Sequence, residues 1–180
     1  YSQLTLKPTR LAMAGPAQRQ ARAAADHMYG MPHNNKGVIG SSVVQAFELG
    51  AASTGLNEKA AKAAGIPYDF VYIIASDKVG LMPDSNPMHF KLIYEYPTGR
   101  ILGAQAIGKG NVDKRIDVIA AMITMGGTLE DLKELELCYA PSFGNAKDVV
   151  NYAALVALNL LYGVFKQVPV TQVRELVEND

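Results

Sequence analysis

Two β-forming runs, HFKLIYEY at 89–96 and ILGAQAIG at 101–108, are joined by the tight turn chemistry of Tyr96, Pro97, Thr98, Gly99 and Arg100. A connection this short joins antiparallel neighbours, so the two runs are expected to form a hairpin. The first run alternates, with Phe90, Leu92 and Tyr94 set against Lys91, Ile93 and Glu95. Further β composition lies at 68–76 (YDFVYIIAS) and from Val38 to Phe47, which is rich in Val, Ile and Ser. An antiparallel sheet at the centre of the fold follows.

After Asn111 the apolar period lengthens. Ile116, Ile119, Ala120 and Ile123 recur at helical spacing, and the TLED stretch from Thr128 has the layout of a capping box with Asp in place of Glu. These two helices are expected to cover one face of the sheet, which makes the fold class α+β. Another helix is expected over Pro16–Tyr29, with Pro in its first turn and Gly30 past its end. A short one follows Asn57 and closes at Gly65, and a long one runs from about Lys147 to Tyr162 and ends at Gly163. MPHNNKG at 31–37 reads as a linker between units.

The 180 residues suit one domain with a sizeable core or two small ones. Seventeen Lys and Arg balance seventeen Asp and Glu, so a nucleic-acid partner is not expected. Hydrophobic residues make up 49% of the chain, yet no apolar stretch approaches the roughly 20 residues of a membrane span, so no membrane partner is expected. The single cysteine, Cys138, leaves no internal disulfide or CxxC pair and fits a reducing, cytoplasmic setting. The first ten residues lack a signal-peptide layout and position 1 is Tyr, so the chain reads as part of a longer one.

No complete catalytic constellation is visible. His27, His33 and His89 have no spacing that puts two on one helical face, so no metal site is assigned. Gly108-Lys109-Gly110-Asn111 lacks the first Gly and the Ser/Thr of a phosphate loop and reads as a strand-to-helix turn. Arg115 and Asp117 open an apolar helix, where structural charge pairing is the leading reading and a subunit interface the other. Cys138 is taken as a packing residue. The loop from Tyr139 to Asp148 is the most unusual segment, and two readings stay open: a rigid element presented at the surface, or a packed connector with Tyr139 and Phe143 in the core.

Four ordered segments, LAMAGPAQRQARAAADHMYG, ASTGLNEKAAKAAG, VDKRIDVIA and YAPSFGNAKDVVNYA, resemble the C-terminal part of the FAD-dependent pyridine nucleotide-disulfide oxidoreductases. Within them the chain looks like the branch of coenzyme A-disulfide reductases, NADH oxidases and persulfide reductases. The resemblance spans nearly residues 11 to 165 and implies a division. Residues 1–36 would be the closing segment of an FAD-binding domain with its linker, and 37–163 a dimerisation domain. Residues 164–180 would be a linker and the start of a rhodanese-like domain.

The resemblance also implies roles. Ala14 and Gly15 would contact the flavin at a helix N-terminus. Tyr139, as the catalytic residue of a YAPPF-type loop, would approach the flavin and redox cysteine of the partner subunit in a homodimer. Lys147 would help hold coenzyme A, with Arg19 a second phosphate partner. FAD and NAD(P)H would be the cofactors, held mainly by upstream sequence, and a sulfur compound the substrate: coenzyme A disulfide, persulfide or polysulfide. The fragment alone would be inactive. An NADH oxidase that reduces oxygen and a non-catalytic dimerisation or binding module are the alternatives. Two departures stand out: Ser142 replaces the motif's second Pro, and Leu81-Met82-Pro83-Asp84 occupies the place of a Tyr-Tyr-Pro-Gly stretch found in some coenzyme A-disulfide reductases.

Overall fold

The computed structural model describes residues 1–179. Helix α1 (Ala14–Met28) precedes strands β1 (Ser42–Ala46) and β2 (Leu49–Gly55), then helix α2 (Glu58–Ala64). Strands β3 (Tyr68–Ser76), β4 (Pro87–Glu95) and β5 (Ile101–Gly108) follow. Helices α3 (Val112–Met125), α4 (Leu129–Glu134), α5 (Val149–Leu161) and α6 (Val170–Glu178) complete the described chain. The strands form an antiparallel sheet in the order β1-β2-β5-β4-β3, which is the α+β architecture expected.

The β4–β5 hairpin forms as the turn residues dictate. The Glu95 amide donates to the Arg100 carbonyl and the Gly99 amide to the Glu95 carbonyl, each at 2.8 Å. A hydrogen bond from the Thr98 hydroxyl, helped by the Arg100 guanidinium, holds the Glu95 carboxyl below the usual carboxylate range against partial burial.

The largest difference from the sequence reading lies at β1 and β2. Patterning extends one strand over 38–47; the structure confines it to Ser42–Ala46 and turns back into β2. Leu49-Gly-Ala-Ala-Ser-Thr-Gly55 has few of the bulky residues that signal a strand. Small residues suit this strand because the neighbouring backbones approach closely. A Cβ on Gly103 would lie 2.1 Å from the Leu56 carbonyl oxygen, and one on Gly55 would lie 2.2 Å from that of Leu102.

Helix α3 packs across β2 and β5 and α5 across β3 and β4, whereas the Thr128 helix α4, expected beside α3 on the sheet, packs on α5. Between α3, α5 and the sheet, Val71, Phe90, Leu92, Ile119, Val150 and Ala154 are wholly buried. Helices α2 and α4 start at the caps their sequences carry. The Asn57 side chain accepts from the Ala60 amide at 2.8 Å, and Thr128 and Asp131 close the capping box reciprocally. Helices α1 and α6 bury no residue. Among the described residues no helix is long and apolar enough to cross a membrane.

Candidate functional site

An open cavity of about 580 Å³ lies where the end of β3 meets the loop before α5, within the size range of ligand pockets, roughly 300–1,000 Å³. Ile74, Ala75, Ser76 and Val79 form one wall. Tyr139, Asn145, Lys147 and Tyr152 stand on the other.

The loop carrying Tyr139 is tightly turned, with the amides of Phe143 and Gly144 both donating to the Ala140 carbonyl, at 2.8 and 3.1 Å. Tyr139 is 50% and Phe143 66% exposed, so the loop is a presented element, and the packed-connector reading is not what the structure shows. Asp148 ends the loop as the α5 cap, its Oδ1 accepting from the Val150 amide at 3.3 Å. Lys147, one residue earlier, holds its Nζ 5.9 Å from the Tyr152 ring centroid, at the limit of a cation–π contact. Tyr139 and Lys147 thus both line the groove, where a phenol can donate to a thiolate or oxyanion and an ammonium can meet a phosphate.

Ala14, Gly15 and Arg19 lie elsewhere, on α1, and none of them lines this groove. Met13 precedes α1 with no capping side chain, the first turn has no acidic residue, and nothing lies within 4 Å of a Cβ placed on Gly15. The start of α1 is the positive end of its helix dipole, and the space beside Gly15 is open. Arg19 is exposed on the same helix.

Cys138, expected to be packed, is exposed beside Tyr139. His89 shares a hydrogen bond with the Tyr72 hydroxyl, and the rings of His27 and His33 meet edge-on at 5.3 Å. Leu81 is 88% exposed on the β3–β4 loop, whose Val79 lines the groove. Lys78 bridges to Asp84 at 2.5 Å across that loop, and its hydrogen bond holds the Asp84 carboxyl below its usual range. Arg115 makes the structural charge pair that was its leading reading, with Asp148, 33 residues away.

A family model described as the pyridine nucleotide-disulphide oxidoreductase dimerisation domain matches residues 41–149. A coenzyme A disulfide reductase of Staphylococcus epidermidis is 31% identical over 145 residues, covering 80% of this chain and 33% of that protein. The chain spans about a third of the length of the curated relatives it matches. The crystal structure of reduced Bacillus anthracis CoADR-RHD superposes with a TM-score of 0.95 at 41% identity, over 99% of this chain and 32% of that one. A NAD-dependent persulfide reductase from A. fulgidus superposes at 0.90 with 36% identity, over 94% and 31%.

Proposed function

The chain belongs to the dimerisation-domain family of the flavin-dependent pyridine nucleotide-disulphide oxidoreductases, and from that premise we propose that it is the C-terminal part of a homodimeric reductase of sulfur compounds. Its part in the reaction is to pair two subunits and to lend Tyr139 and Lys147 to the partner's active site. The observation that carries this reading is the convergence of those two residues on one open groove. An isologous dimer delivers such a groove twice, once to each partner.

The substrate class is a disulfide or persulfide, with coenzyme A disulfide, a persulfide and polysulfide as its members. For a disulfide the balance is RSSR′ + NAD(P)H + H⁺ → RSH + R′SH + NAD(P)⁺. FAD, when bound, supplies the relay of a hydride equivalent from nicotinamide to a cysteine disulfide in the upstream part. In that setting the Tyr139 hydroxyl donates a hydrogen bond to the departing thiolate, and Lys147 meets a phosphate of a coenzyme A moiety. The α1 N-terminus, through Ala14 and Gly15, faces the flavin edge, and Arg19 adds positive charge on the same helix.

Replacing Tyr139 by Phe in the full-length enzyme tests the reading. A fall in kcat of about 10²-fold or more with coenzyme A disulfide or a persulfide is expected, the range for loss of a positioned donor. Unchanged turnover with both substrates would remove Tyr139 from the reaction. Turnover with oxygen alone, water being the product, would favour the oxidase alternative.

A further inference from the structure

Arg115, on α3, carries its charge in a side chain only 2% exposed. Its Nε donates to Asp148 Oδ1 at 3.3 Å and its Nη2 to Asp148 Oδ2 at 3.0 Å. Nη2 also donates to the Asp77 carbonyl at 2.7 Å, and Nη1 reaches the Asn111 carbonyl at 3.4 Å. A guanidinium is buried at high cost unless its donors are met, and here they are met by segments far apart in the chain. Two of those segments border the groove. Asp77 directly follows the wall residue Ser76, and Asp148 directly follows Lys147.

Each of these anchor points is itself held. The Asp77 amide donates to the Asn86 carbonyl at 2.9 Å, and Asp77 Oδ1 accepts from the Asn86 amide at 2.8 Å, which closes the β3–β4 loop. Asp148 caps α5. Asn145 makes a second tie between the walls, its Nδ2 donating to the Ser76 carbonyl at 2.8 Å. Buried Gly144 packs over the ion pair, where a Cβ would sit 3.6 Å from both Arg115 Nη2 and Asp148 Oδ2.

We propose that Arg115 is a positioning residue that fixes the spacing of the two groove walls and, through Asp148, the placement of Lys147 toward a phosphate of coenzyme A. This rests on the reading of Lys147 as a phosphate partner. The planar fork is essential to the role: a lysine at this position keeps the charge but cannot hold the carboxylate at two points while reaching the Asp77 carbonyl.

The test uses the full-length flavoenzyme, with the Kd of coenzyme A measured by calorimetry and the rate of flavin reduction by NADH as the second readout. Arg115→Lys is expected to weaken coenzyme A about tenfold, as small misplacements of a binding group do, while flavin reduction stays unchanged. The double variant Arg115→Met/Asp148→Ser removes both charges, keeps a helix cap, and should behave alike even where Arg115→Lys fails to fold. Lys147→Gln is measured in parallel. If it weakens coenzyme A while neither Arg115 variant does, the positioning role is overturned. So it is if the Arg115 variants slow flavin reduction as much as they weaken coenzyme A. If Lys147→Gln changes nothing, the phosphate reading itself falls, and the positioning role falls with it.

Discussion

The two faces of the sheet obey different rules. On the inner face the cross-strand row Ile73, Phe90, Ala106 and Ala52 lies under α3 and α5 and is buried throughout. One residue along, the row Ile74, His89, Ile107, Ala51 and Val44 crosses all five strands on the outer face, with Ile74, Ile107 and Val44 exposed. The next outer row, Tyr72, Lys91, Gln105, Ser53 and Ser42, is mostly polar. Apolar residues occur on both faces, so apolarity alone does not define the core. The helices do: α3 and α5 cover the inner face, while on the outer one Ile93 is buried, Lys91 meets Glu58 of α2, and Ile74, Ile107 and Val44 stay exposed.

That comparison breaks most sharply at Phe90. Phe90→Ala should lower the unfolding free energy by about 3–5 kcal/mol, read from urea denaturation, because the cavity it leaves is sealed by α3 and α5. A loss below about 1 kcal/mol would mean that the inner face is not tightly packed.

The outer face should instead respond to charge. Glu95 alternates onto it, and its folded-state pKa is lowered chiefly by Thr98 and then by Arg100. A lowered folded pKa contributes stability that is present above the unfolded pKa, about 4, and is lost as pH falls through the folded value. Glu95→Gln should therefore flatten the acid limb of the stability–pH curve below about pH 4, by no more than about 1 kcal/mol for so solvent-accessible a pair. An unchanged acid limb would place the hairpin's stability elsewhere.

The smallest effect is expected at Ile74. Ile74→Ser should shift stability by no more than about 0.5 kcal/mol. A larger loss in the full-length enzyme than in this chain would show that another part of that protein covers the outer face.

The site divides in the same way. The loop from Tyr139 to Asp148 stood out as a local pattern, a Pro- and Gly-bearing aromatic segment before a capped helix, whereas the roles of Tyr139 and Lys147 came only from the resemblance. Asn57, Gly65 and the Thr128–Asp131 box were legible, since each cap is complete within four or five residues. Ser76, Asn145 and the Arg115–Asp148 pair were not. Their partners lie 69 and 33 residues away, and nothing local marks which carboxylate a given arginine will meet.

The sequence by itself determined the hairpin and the capped helix starts, because turn chemistry, capping and periodicity act over one or two turns of chain. Only the tertiary structure decided that Leu49–Gly55 is a strand, which face of the sheet is core, and that a buried arginine joins the two walls of the groove. Those outcomes depend on close backbone approach, helix cover and long-range pairing of charge, all of which exist only once distant segments have met.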